Sequence, residues 1–215
     1  MRIDKNRDFS YIKKIKEHAE TLFATYNSIS KSVFLDETVE RKAVLFDLLQ
    51  IGELVSQLTK TLQLSMDKKE FEGIISVRNH IVHGYDKLNN YIIVDCIEKE
   101  LSPFIETLEL NAKKIYIQTI KSAIGQKITV LVDKEKDAQN FFNFGHINEL
   151  SDLNGNLQKV ILIDVNGPIF QCKAMVVSAI ASKNNDDIIL LAAINEIKID
   201  IAYIQQHGYK DYQIL

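Results

Sequence analysis

The 215-residue chain has no tryptophan, two prolines, two cysteines and four arginines. Each scarcity excludes something. Cys96 and Cys172 lie in different halves of the chain, so they provide neither a disulfide framework nor a metal-ligand spacing, and they read as small buried hydrophobes. A formal net charge of −3 rules out a global basic field for nucleic acid, which leaves only local contact. No apolar run approaches the roughly 20 residues that a membrane span requires, and no signal-peptide pattern is present. The expectation is a cytoplasmic protein with no membrane partner.

The composition, 46% hydrophobic and 26% charged, is that of a globular protein with ample material for a core. The spacing predicts a helix from Asp8 to about Tyr26, with Tyr11, Ile12, Ile15, Ala19, Leu22 and Phe23 on one face. A second helix is expected from Glu37 to about Leu62, N-capped by Asp36. Its seam is Val44, Leu45, Leu48, Ile51, Gly52, Val55, Leu58 and Leu62. Gly52 lowers helix propensity there by about 1 kcal/mol, which suits a place where another helix must come close. A third helix opens at Asp67 with capping-box spacing and a Met66/Phe71 staple, and ends near His83 before Gly84. The fourth runs from about Asn90 past Tyr116, with a kink at Pro103.

After Gly125 the pattern changes to β-branched runs: Lys127 to Asp133, Phe141 to Ile147, Val160 to Val165, Phe170 to about Ala181, and Ile188 to Ala193. Asn154-Gly155 and Asn166-Gly167-Pro168 supply turns between strands. A closing helix is expected from Ile194 to about Gln206, then an apolar tail at Tyr212 to Leu215. The fold class is therefore α+β. Residues 1–120 are expected to form an antiparallel four-helix bundle, and residues 126–215 a β-barrel-like domain with a closing helix.

The stretch Arg78-Asn79-His80-Ile81-Val82-His83-Gly84-Tyr85 stands apart. One of four arginines and two of five histidines fall within six residues. The expected core face of this helix is Phe71, Ile74, Ile75, Arg78, Ile81, Val82 and Tyr85, which puts a permanent cation where an apolar residue belongs. Arg78 and His83 point about 140° apart on an ideal helix, so both can border one cleft without touching. Histidine can move protons near neutral pH, and arginine matches a pair of phosphate oxygens. Together they suit RNA cleavage by the neighbouring 2′-hydroxyl, with no metal and no cofactor. The simpler alternative is that Arg78 pairs with Glu53 or Asp47 of the second helix and that His80 is a surface or packing residue.

The string Arg78-x4-His83-x-Tyr85 at a helix end resembles the HEPN superfamily, and within it the HepT-like toxins. Residues Arg41 to Glu53, with Ile51-Gly52-Glu53, and Glu100-Leu101-Ser102-Pro103 extend the resemblance over about residues 5–115. Phe71 stands where relatives often carry tryptophan. The resemblance implies a homodimeric, metal-independent endoribonuclease acting on RNA. Arg78 and His83 would be catalytic, with Asn79 in support. It also implies a nucleotidyltransferase-family antitoxin that adenylylates Tyr85, placing bulk and negative charge in the RNA cleft.

The second half is similar to the soluble inorganic pyrophosphatase fold. The similarity rests on Asn143-Phe144-Gly145-His146-Ile147, on Asn154-Gly155-Asn156 through Lys159, and on Tyr203-Ile204-Gln205-Gln206. Asn154, Asn156 and Lys159 stand where that family has metal-binding carboxylates, and only Asp186 and Asp187 remain nearby. A lysine opposes a divalent cation, so this degenerate site is expected to be non-catalytic. Three functions are weighed: a ribonuclease toxin with an appended inert domain, a non-catalytic HEPN dimer that binds RNA or a nucleotide, and a residual phosphohydrolase in the C-terminal half.

Overall fold

The computed structural model describes residues 5–30, 34–83, 89–133, 142–165, 169–195, 201–206 and 208–215. The chain divides into two compact units, residues 7–113 and residues 114–215 together with 1–6. The first is helical and the second is built on a closed barrel, a mixed α+β architecture. No helix among the described residues is long and apolar enough to cross a membrane.

In the helical unit, α1 spans Lys5–Ser28 and buries Ile12, Ile15, Ala19 and Leu22 as the spacing requires. The second helix is shorter than expected: α2 covers Val39–Ser56, and a separate short α3 covers Lys60–Gln63. Its cap is Thr38 rather than Asp36, because the Thr38 hydroxyl accepts the Arg41 N–H at 3.1 Å. The break after Ser56 is made by α1. The buried Asp8 carboxylate takes the Thr59 N–H at 2.8 Å and the Thr59 hydroxyl at 2.5 Å, while Arg7 donates to the Gln57 carbonyl at 2.7 Å. Every expected seam residue of this region, from Val44 to Leu62, is nonetheless buried.

The helix α4 spans Lys68–His83, and Asp67 Oδ1 accepts from the Lys69 N–H at 2.8 Å and the Glu70 N–H at 3.2 Å. Both staple residues, Met66 and Phe71, are buried. Its core face is Phe71, Ile74, Val77 and Ile81, with Arg78 half-buried beside it. Val82, expected on that face, is 42% exposed. Phe71, Ile74 and Ile81 keep their expected places, and Val77, not expected on the face, joins them while Val82 leaves it.

The last helical run begins with α5, Asn90–Asp95, passes through a π-helical turn, Cys96–Glu100, and continues as α6, Leu101–Ala123. Within the turn the Leu101 N–H reaches back five residues to the Cys96 carbonyl. This widened turn comes just before Pro103, which has no N–H to give to Lys99 and whose ring needs the room.

In the second unit, β1 (Lys127–Val132), β2 (Asn143–Ser151), β3 (Leu157–Leu162), β5 (Ile188–Ala193) and β4 (Gln171–Ser182) pair in that order. The β1–β4 pairing, with Val130 opposite Cys172, closes the sheet into a five-stranded barrel. The β3–β5 pairing is parallel, and each other neighbour is antiparallel. Every residue of β5 is buried, the mark of a strand covered on both faces. Ile204 of α7 (Ile201–Gln206) packs on Ile161, Ile180, Ile189 and Leu191, so the closing helix covers one wall. The expected apolar tail is strand β6, Tyr212–Ile214, which pairs with β4.

Candidate functional site

The site begins where α2 and α4 cross. A Cβ added to Gly52 would lie 2.3 Å from Arg78 Cβ, so only glycine permits this approach. The close crossing lifts Arg78 to the rim of the interface instead of burying it, and α2 supplies its partner in the next residue. Arg78 Nε donates to Glu53 Oε1 at 2.6 Å, and Nη2 donates to the same oxygen. The remaining nitrogen, Nη1, donates to Asn79 Oδ1 at 2.7 Å. Asp47, the other candidate partner, instead takes His18 Nδ1 at 2.8 Å.

Arg78 and Asn79 are therefore brought together, with Glu53 behind them. His83 is exposed on the final residue of α4. His80 is half-buried, and its Nε2 accepts the Asn89 N–H at 2.9 Å. Tyr85 and Gly84 lie outside the described residues.

The Arg78–Glu53 pair keeps about a quarter to a third of each side chain in solvent, 27% and 32%. Ion pairs this exposed contribute about 0–1 kcal/mol, so the guanidinium can turn from Glu53 to a phosphate at small cost. Neither cysteine adds reactivity here: burial pushes the Cys96 thiol up to about 12 and also raises that of the half-buried Cys172, so both stay protonated.

The barrel's predicted positions lie in the other unit. Asn154 and Asn156 sit in a turn around Asp152, whose Oδ1 accepts both of their backbone N–H groups at 2.9 Å. Lys159 on β3 pairs with Asp187 at 3.4 Å, and Tyr212 donates its hydroxyl to the other Asp187 oxygen. Among the described residues no cluster of three or more His, Cys, Asp or Glu side chains could hold a metal ion.

The family profile of HepT-like ribonucleases matches residues 10–110. A curated relative from Caldanaerobacter subterraneus subsp. tengcongensis, named "Putative RNase TTE0752", is 30% identical over 105 residues, covering 49% of this chain and 90% of that protein. The chain belongs to the HepT-like ribonuclease family. For a HepT-like ribonuclease, RNA is the implied substrate, and Arg78, Asn79 and His83 all fall within the matched span. The matched span ends before the barrel begins. No solved structure matches the chain.

Two features of the site are not legible in the sequence. Glu53 is named there only as one of two candidate partners for Arg78. The Asn89 bond to His80 has no signal, since a backbone N–H leaves no mark on residue identity.

Proposed function

We propose that this chain is a metal-independent endoribonuclease working as a homodimer, the toxin of a pair with a nucleotidyltransferase-family antitoxin. His83 takes the proton of an RNA 2′-hydroxyl, and the freed oxygen attacks the adjacent phosphorus. The 5′-oxygen leaves and takes that proton from the imidazolium, giving a 2′,3′-cyclic phosphate and a 5′-hydroxyl. Arg78, released from Glu53, holds two phosphoryl oxygens as charge builds, and Asn79 steadies the guanidinium through its contact at 2.7 Å. The helical unit is proposed as an antiparallel four-helix bundle whose α4 ends pair across the dimer. Tyr85 is the proposed site of adenylylation. The barrel is proposed as a degenerate pyrophosphatase-like domain that is no longer catalytic.

The observation that carries this reading is the half-exposed Arg78, held by Glu53 and Asn79 at the Gly52 crossing, on the helix that ends in exposed His83. The test is cleavage of single-stranded RNA by the purified chain in excess chelator. Wild type should cleave and leave cyclic-phosphate ends. His83→Ala should lose at least about 100-fold of the rate, the scale of a general base. Arg78→Lys should also fail, because a point charge cannot grip two oxygens. Full activity in His83→Ala, or loss of activity on chelation, would defeat the mechanism. The second reading, a dimer that binds RNA without cutting it, draws on Arg78 already being engaged by Glu53. Wild-type binding with no cleavage would favour it.

A further inference from the structure

Three helices meet at two consecutive residues just beyond the site. Asn89 gives its backbone N–H to His80 Nε2 at 2.9 Å, tying the last turn of α4 to the start of α5. Asn90 Oδ1 accepts from Arg41 Nη2 at 2.9 Å, tying the same point to the first turn of α2. Arg41 is only 6% exposed, and its Nη1 is held by Glu37 at 3.0 Å, so its guanidinium has little freedom. Asn89 Oδ1 also caps α5 by accepting the Tyr91 N–H at 3.1 Å.

His80 lies between the two proposed catalytic residues, one turn before His83 on the same helix. The base of the Arg78 side chain is fixed independently, by the Gly52 crossing. Among the described residues His83 has no such anchor: it is the terminal residue of α4, where the last carbonyls lack helical partners and fraying begins. A catalytic group displaced by about 1 Å can lose roughly 100-fold in rate.

We infer that His80 is a positioning residue, which braces the end of α4 against the start of α5 and so holds His83 in register with Arg78. The inference rests on the ribonuclease reading of His83. The His80 arm has a defined chemistry. Its Nε2 accepts a hydrogen bond, so the ring carries its proton on Nδ1, and any replacement must offer an acceptor at that reach. Glutamine does so through its side-chain carbonyl, and leucine does not.

The test uses the full chain and a 5′-labelled single-stranded RNA. His80→Leu should lower kcat by roughly 10- to 100-fold with KM little changed, because the phosphate grip of Arg78 is untouched. His80→Gln should stay within about threefold of wild type. Asn89→Pro removes the donor N–H at a residue whose φ of −78° already suits proline, so it should reproduce His80→Leu. Adding His80→Leu to Asn89→Pro should then cost nothing further, which identifies the bond itself. Asn89→Ala, which keeps the N–H and loses only the cap, measures the capping share.

Amide hydrogen exchange of Asn89 and of residues 80–83 gives a readout independent of cleavage. It should quicken in His80→Leu and not in His80→Gln. If wild type cleaves no RNA, the ribonuclease reading fails while exchange still decides whether the brace exists. The inference is overturned by wild-type kcat in His80→Leu, by equal damage in His80→Leu and His80→Gln, or by losses that add in the double variant.

Discussion

Arg78 illustrates how much one glycine can decide. Its Cβ occupies the space that a side chain at position 52 would need, so the guanidinium leaves the interface at the rim and meets Glu53 from the next position of α2. Gly52→Ala gains about 1 kcal/mol in helix propensity but forces the helices apart, an overpacking cost of about 1–3 kcal/mol. The neighbour is a Cβ fixed to a backbone, which cannot swing away. Gly52→Ala should therefore lower the melting temperature and also reduce RNA cleavage by moving Arg78. A variant as stable and as active as wild type would show that the crossing relaxes freely. At this scale the sequence located the close approach and Phe71, Ile74 and Ile81 of the buried face of α4, but missed Val77. Val77 and Arg78 are adjacent on a 3.6-residue spiral, and only the neighbouring helix decides which of two flanking faces is covered.

Between elements, side-chain hydrogen bonds over long sequence separations set helix ends and tie the helices to one another. Asp8 ends α2 from 51 residues away by capturing Thr59. Tyr26 of α1 donates its hydroxyl to Glu98 in the π-helical turn at 2.8 Å. Burial, then the hydrogen bond to Glu98 and its negative charge, push the Tyr26 phenol up to about 12 from an ordinary 10.0. The sign follows from linkage: below pH 10 the phenol is protonated whether the chain is folded or not, and its contribution is fully present. Between pH 10 and about 12 the unfolded chain releases this proton while the folded one retains it, so stability falls as pH rises. Tyr26→Phe should be less stable at pH 8 yet lose less on going from pH 10 to 12. Parallel melting curves for the two proteins across that window, followed by helical circular dichroism, would refute the coupling. The periodicity of α1 marked its buried face, but Tyr26 lay at the end of that pattern and its partner 72 residues on was invisible.

The last turns of α6 are part of the barrel unit. Tyr116, 2% exposed, donates its hydroxyl to Gln158, which is fully buried on β3 and gives its amide to the Ile188 carbonyl at 2.7 Å. Removing Tyr116 strips about 2–3 kcal/mol of apolar burial and leaves a buried amide oxygen without that donor. A fragment of residues 114–215 should therefore melt about 10 °C or more above one of residues 126–215, the boundary proposed from the strand onset. Equal melting temperatures would place the true boundary at Gly125. If the barrel is the degenerate pyrophosphatase-like domain proposed above, neither fragment should hydrolyse pyrophosphate with Mg²⁺ or Mn²⁺, given Lys159, Asn154 and Asn156 in place of carboxylates. Turnover at an enzymatic rate would show that the ligands lie elsewhere.

The sequence by itself determined the helical first half, the switch to strands at Lys127 and five of the strands, because these depend on local periodicity, capping and residue type. Tertiary structure alone decided the strand order and barrel closure, the break between α2 and α3, the choice of Glu53 over Asp47 for Arg78, and the bond from Asn89 to His80. Most of these join groups far apart in the chain, and the bond from Asn89 to His80 is made through a backbone N–H that every residue but proline shares. The identity of a residue records what its own backbone tends to do, whereas which donor from another element reaches it is fixed only when the elements of a unit are packed.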